Sequence, residues 1–319
     1  MSRDMSKTRK ISLIGAGNIG GELANVIART ELAQEVVLFD IPPKEDFAKG
    51  KALDLEQYGT VIGFDTKVTG SSNWEDCAGS DVLIITAGIP RKPGQDRKDL
   101  VATNLPIIRN VADNAKKHCP DAFTIVISNP LDAMVYEYKK RTGFDASKVV
   151  GMAGMLDSAR FQLFLAREAG VSVKDVRAMV LGGHGDTMVP VASACTIEGI
   201  PASEMIGKEA FDAIVARTRK GGGELVGLMG TSAFYAPAAS AVAMAAAYLN
   251  DQKRLMPCAA YLTGQYGYEG FFMGVPVVIG KGGVEKVVEI SLTDDEKKML
   301  ETSADAVKGI VEIVEATDG

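Results

Sequence analysis

The run KISLIGAG at residues 10–17 constrains this chain more than any other, because a short apolar stretch of strand character ends in glycine and feeds a helix-like stretch from residue 20 to 30. The junction reads Gly15-Ala16-Gly17-Asn18-Ile19-Gly20, and a strand, glycine loop and helix in that order have a physical logic. Gly15 permits a tight turn, Gly17 lets the backbone approach a pyrophosphate, and Gly20 brings helix and strand close, while a helix N-terminus at Asn18 and Ile19 favours negative charge. A glycine turn without a ligand would carry the same letters. Asp40 shifts the balance: it closes the next strand-like run, EVVLFD, twenty residues after Gly20, where a carboxylate accepts hydrogen bonds from an adenosine ribose. A carboxylate there also repels the additional phosphate of NADP, so NAD is the expected cofactor, with Lys44 nearby as an opposing charge.

The same rhythm continues along the chain. DVLIITAG, AFTIVISNP and KVVGMAG are short, nearly continuous apolar runs, the pattern of parallel strands covered on both faces, and helical stretches such as residues 106–118 separate several of them. Residues 1–150 are therefore expected to form a doubly wound parallel α/β sheet that binds the dinucleotide. Around Gly151 the rhythm changes. A helical MLDSARFQLFLAREAG is followed by two β-rich segments with glycine turns, VRAMVLGGHGDTMVPVASAC and GVPVVIGKGGVEKVVEI, and by a helix over residues 294–314 with an acidic start. An α+β second domain over residues 151–319 is expected, with the active site between the two.

Composition excludes several classes. A chain of 319 residues with 46% hydrophobic content buries a large core, and a net charge of −6 speaks against a nucleic-acid or anionic-membrane surface. Cys77, Cys119, Cys195 and Cys258 are scattered with no C-x-x-C pair, so neither a disulfide framework nor a metal site is expected, and reduced thiols fit a cytoplasmic setting. The charged first ten residues lack the form of an export signal and read as a short disordered leader. Residues 233–249, rich in alanine and interrupted by Pro237, read as a packed helix rather than a membrane span, with small side chains suited to close contact with another subunit.

Three groups of residues could carry chemistry. His184, in Leu181-Gly182-Gly183-His184-Gly185-Asp186, has glycines on both sides that free the backbone to present an imidazole, the side chain best suited to exchanging a proton near neutral pH; a satisfied turn histidine fits the same string. His118, before Cys119-Pro120, reads as a solvated helix cap or a helix-dipole partner. Asp157 and Arg160, three apart in a helix-like stretch, can share one face, either as a surface ion pair or with Asp157 orienting His184 and Arg160 gripping a carboxylate. The polar segment from Ile89 to Leu100 follows a strand, where ligands bind in open α/β sheets. It is either a solvated loop or a stiff lid that brings Arg91 and Arg97 onto a small anion.

Taken in order, GAGNIG, ITAGIPRKPGQDR, SNP, LDSARF and GGHGD resemble the lactate and malate dehydrogenases, over nearly the whole chain from Lys10. The resemblance implies a Rossmann-type cofactor domain followed by a substrate domain, and a homodimer or homotetramer. It implies that His184 exchanges the proton while paired with Asp157, that Arg160 binds the carboxylate beside the reacting carbon, that Arg97 polarises the carbonyl, and that Asn129 contacts substrate and nicotinamide. Arg91 stands where the lactate enzymes typically carry glutamine and the malate enzymes arginine, so a second carboxylate, as in malate and oxaloacetate, is the expected substrate feature. Thr231 departs from the glycine expected in many of the malate enzymes. Two other readings remain at this stage, a lactate or broader 2-hydroxy-acid dehydrogenase and a non-catalytic protein responsive to NAD.

Overall fold

The computed structural model describes residues 8–90 and 97–317. Six strands, β1 (Lys10–Ile14), β2 (Glu35–Phe39), β3 (Lys67–Ser71), β4 (Val82–Ile85), β5 (Phe123–Val126) and β6 (Val149–Gly151), pair in parallel in the order β6-β5-β4-β1-β2-β3. Crossovers run through α1 (Asn18–Arg29), α2 (Glu45–Ile62), α3 (Arg97–His118) and α4 (Leu131–Thr142). Alternation explains why the strands read as continuous apolar runs. Leu13, Leu38, Ile84 and Ile125 pack in one buried cluster with Leu23 and Ile27 of α1, whereas Ile14, Val37, Ile85 and Val126 pack in another with Val101, Leu105 and Ile108 of α3. Each such side chain contributes roughly 1.5–3 kcal/mol on burial, so neither face tolerates a polar residue cheaply.

The strand order reverses between β1 and β4, which opens a crevice at their carboxyl ends. Gly15 sits in that crevice, its N–H donating to Phe39 O at 2.8 Å and its carbonyl accepting from Thr86 Oγ1 at 3.2 Å.

Two elements differ from the sequence expectation. The edge strand β3 has the alternating, partly polar sequence KVTGS rather than an apolar run, because its Lys67 and Thr69 face outward. Helix α3 runs from Arg97, so Pro106 lies inside it; Pro106 is exposed there, and the end of the segment expected as a polar loop or lid is helical from Arg97 to Leu100.

The second half begins with α5 (Gly154–Ala169) and five short strands, β7 (Val176–Arg177), β8 (Val180–Leu181), β9 (Val189–Pro190), β10 (Thr196–Ile197) and β11 (Ile200–Pro201). Three helices follow: α6 (Ala202–Met205), α7 (Lys208–Met229) and α8 (Tyr235–Leu249). Pro237 falls in the first turn of α8, where an N–H has no partner to lose. An antiparallel unit of β12 (Arg254–Thr263), β13 (Glu269–Gly280) and β14 (Gly283–Val287) joins the parallel sheet through Ala259 opposite Gly151, so one nine-stranded sheet runs through both halves.

The last helix, α9 (Asp294–Glu315), opens with a capping box of Thr293 and Glu296. Glu296 also accepts from Ser193 N at 3.0 Å and Ser193 Oγ at 2.7 Å, fastening the chain beyond β9 to this helix. All four cysteines are buried and unpaired, and burial pushes the Cys77 and Cys195 thiols up to about 12. Among the described residues no helix is long and apolar enough to cross a membrane.

Candidate active site

At the β1–α1 junction the three motif glycines meet different demands. Gly15 has φ +117°, and a Cβ there would stand 2.5 Å from Thr86 Oγ1; a Cβ on Gly20 would stand 1.9 Å from Gly15 O. Both are required by the protein's own packing. A Cβ on Gly17 would meet nothing within 4 Å, so the protein's own packing makes no demand for glycine there and leaves open space beside the loop, room for a pyrophosphate to approach. Gly17 caps α1 without a side-chain hydrogen bond, so no capping side chain claims the N–H groups at this helix start and they suit an anion. Asp40 Oδ2 accepts from Ala16 N at 2.9 Å and Oδ1 from Ile41 N at 2.8 Å, which fixes the carboxylate at the end of β2 with further lone pairs for ribose hydroxyls. These residues fit NAD.

The second half brings an imidazole, a carboxylate and a guanidinium together. Asp157 and Arg160 share one face of α5, with Arg160 Nη1 at 3.3 Å from Asp157 Oδ1, and Asp157 Oδ2 lies 2.8 Å from His184 Nδ1. Asp157 is 2% exposed, so this is a buried arrangement and not a surface pair. An ionised carboxylate only accepts, which assigns the proton on Nδ1 and leaves Nε2 as the atom for exchange. Desolvation is the largest influence on His184 and pulls its pKa down. It is outweighed by the charge and hydrogen bond of Asp157 and by the charge of Asp132, against opposition from Arg160, and the net direction is upward. His184 and Arg160 line a cavity of about 260 Å³ with Asp186, Arg219 and Lys220, below the range of drug-sized pockets and suited to a small acid.

Gly182 and Gly183, which precede His184, serve close packing, and Gly182 a left-handed backbone as well. A Cβ on Gly182, at φ +85°, would stand 2.5 Å from Ser303 Oγ, and one on Gly183 would stand 2.6 Å from Val307 Cγ2, both on α9. Gly182 also exchanges backbone hydrogen bonds with Gly274 of β13, so sheet and terminal helix together hold the histidine's loop.

Asp132 is a site residue the sequence reading missed. Its Oδ2 accepts from His184 N at 3.0 Å, tying the start of α4 to a loop 52 residues away. The available signal was its place three residues after Asn129, in an acidic first helical turn, which also reads as an ordinary helix-dipole partner. Asn129 is exposed at the end of the β5 segment, and its carbonyl accepts from Asn104 Nδ2 at 2.7 Å. His118 is the last residue of α3, in its basic final turn, which fits the helix-dipole reading and not the solvated cap: its side chain is 8% exposed and stacks on Trp74 near Glu75. Arg91 lies outside the described residues, as does the side chain of Arg97, whose backbone opens α3.

A dinucleotide-binding crevice combined with a buried carboxylate, an imidazole and an arginine at a small cavity defines the class of nicotinamide-dependent dehydrogenases acting on small 2-hydroxy acids. Residues 9–151 match the lactate/malate dehydrogenase NAD binding domain, and residues 154–317 match the lactate/malate dehydrogenase alpha/beta C-terminal domain. The chain belongs to the lactate/malate dehydrogenase family. It is 71% identical to the malate dehydrogenase of Sorangium cellulosum over 98% of this chain and 100% of that one. The crystal structure of Cryptosporidium parvum malate dehydrogenase is 48% identical and superposes with a TM-score of 0.94, covering 97% of this chain and 100% of its own. The lactate dehydrogenase of the same organism, solved with lactic acid and nicotinamide adenine dinucleotide, is 45% identical with a TM-score of 0.94, covering 98% of this chain and 99% of its own.

Proposed function

We propose that the chain catalyses the reversible NAD-dependent oxidation of (S)-malate to oxaloacetate, with His184 as proton acceptor and donor. The observation that carries this reading is the 2.8 Å pairing of His184 with a buried Asp157 that also contacts Arg160. The 71% identity to a malate dehydrogenase directs it to malate.

When bound, the nicotinamide supplies the hydride acceptor for malate and, reduced, the hydride donor for oxaloacetate. Gly15, Gly17, Asn18, Ile19, Gly20 and Asp40 hold the dinucleotide, with Asn129 placed for the nicotinamide end and the substrate. In the reducing direction protonated His184 gives its Nε2 proton to the carbonyl oxygen while Asp157 stabilises the imidazolium. Arg160 grips the carboxylate beside that carbon, Arg97 stabilises charge developing on the oxygen, and Arg91 pairs with the distal carboxylate. Residues 1–150 form the cofactor domain, which also lends Arg91, Arg97 and Asn129 to the substrate, and residues 151–319 form the substrate domain with Asp157, Arg160 and His184.

The test is the initial rate of NADH oxidation with oxaloacetate and with pyruvate at matched concentrations. Oxaloacetate is expected to be preferred by about 10²-fold or more. A preference for pyruvate would transfer the chain to the lactate side of the family, and no turnover on either would support an NAD-responsive binding protein instead.

Gly221 of α7 offers a check on Arg160. A Cβ there would stand 2.2 Å from Arg160 Cδ, so Gly221→Ala is expected to displace the guanidinium and raise KM for oxaloacetate by about 10-fold or more, with NADH affinity kept. An unchanged KM would remove Arg160 from substrate binding.

The same proposal includes a homodimer or homotetramer. Leu53, Val61 and Ile62 on α2 and Val226, Leu228 and Met229 on α7 are exposed, Val61 by 82% and Leu228 by 77%, apolar side chains that a subunit interface would cover. Sedimentation velocity at micromolar concentration is expected to give a multiple of 33.8 kDa, and a species of 33.8 kDa alone would refute it. Four buried, unpaired thiols support a reducing cytoplasmic setting.

A further inference from the structure

One cation outside the proton-handling cluster is engaged with the backbone of the glycine loop. Lys51 lies on α2, 35 residues from Ala16, yet its Nζ donates to Ala16 O at 2.9 Å and to Gly17 O at 2.8 Å. Its Nζ stands 4.7 Å from the centroid of the Phe47 ring, and a Cβ on Gly21 would stand 3.1 Å from it, so the ammonium fits closely between α2 and the first turn of α1. Asp40 holds the same stretch of backbone by the Ala16 N–H. The loop is thus clamped by a cation on two carbonyls and a carboxylate on one N–H.

We propose that Lys51 is a positioning residue for dinucleotide binding, holding the Ala16 and Gly17 carbonyls so that the loop keeps its N–H groups for the pyrophosphate. The inference rests on the NAD reading above. The physical reason is charge. A pyrophosphate brought close to a glycine loop meets amide N–H groups that attract it and carbonyl oxygens that repel it. An ammonium bonded to two of those oxygens offsets the repulsion and adds a positive charge beside the helix N-terminus. Partial burial strengthens the effect by lowering the local dielectric. The same burial lowers the Lys51 pKa, against the opposing charge of Asp40.

Lys51→Met and Lys51→Arg separate this role from a simple tether between α2 and the loop. Lys51→Met is expected to weaken NADH and ADP-ribose by about 10-fold each and to leave kcat at saturating NADH within about 2-fold, with Lys51→Arg restoring most of the loss. A mere tether would lower the melting temperature of the free protein and leave the NADH-induced rise unchanged; the expected result is that this rise shrinks. Should the methionine variant not fold, Lys51→Gln, which keeps a donor without the charge, is expected to weaken NADH in the same direction. Wild-type binding of NADH together with an unchanged dissociation constant in Lys51→Met or Lys51→Gln would overturn the role of Lys51 alone. Failure of the wild-type protein to bind NADH would overturn the NAD reading beneath it.

Discussion

His184→Asn is expected to lower turnover by about 10²–10⁴-fold while NADH still binds, the range a positioned acid–base group contributes. Asparagine can still donate to Asp157, so the carboxylate keeps a partner, but an amide cannot take up and release a proton near neutral pH. The pH profile checks the assignment independently. The His184 pKa is raised above the ordinary imidazole value, with Asp157 and Asp132 outweighing desolvation and Arg160. Oxaloacetate reduction needs the protonated form, so its rate falls as pH rises through that raised pKa; malate oxidation needs the neutral form and rises over the same window. Stability follows the reducing branch. A raised folded pKa contributes stability that is fully present below the unfolded value and is lost as pH rises through the folded one, and the asparagine variant should lack that slope. Near-normal turnover in His184→Asn would refute the proton-transfer role.

The parts legible in the sequence were those whose physics is local. In β1, α1 and β2 both sheet faces are buried and the glycines sit at a turn, so apolar runs and spacing carry the information within about thirty residues. Asp157 and Arg160 were legible for the same reason, as neighbours on one helical turn. The edge strand β3 was not, since half its side chains face outward and Gly70 is set by the approach of α2, where a Cβ would stand 2.3 Å from Lys49 N. Lys51 and Asp132 were hidden because each looks like an ordinary charge on a helix, and only the fold brings one to the glycine loop and the other to the backbone of His184. The meeting of His184 with Asp157 across 27 residues came from resemblance, not from spacing. The start of α3 was misjudged because proline marks the first turn of a helix more often than its interior.

Arg91→Gln is expected to lower kcat/KM for oxaloacetate by about 10²–10³-fold and to raise that for pyruvate. A malate dehydrogenase and a lactate dehydrogenase from one organism each superpose on this chain with a TM-score of 0.94, so the shared fold does not by itself set the choice of substrate. In the proposed arrangement Arg160 cannot supply the choice, because the carboxylate it grips, beside the reacting carbon, is common to both acids. The distal group can: a carboxylate in oxaloacetate and a methyl in pyruvate differ by a full charge. An enclosed guanidinium opposite the carboxylate forms a charge-assisted pair, and opposite the methyl it is left desolvated and unpaired, at a cost of roughly 3–5 kcal/mol. Glutamine removes that cost for pyruvate and the pair for oxaloacetate, which moves the two efficiencies in opposite directions. NADH affinity, which the proposed reading assigns to Asp40 and the glycine loop, should stay as it was. A variant that loses activity on both acids equally would mean that Arg91 serves the chemistry rather than the choice of substrate, and one that keeps its preference for oxaloacetate would move the selectivity to another residue.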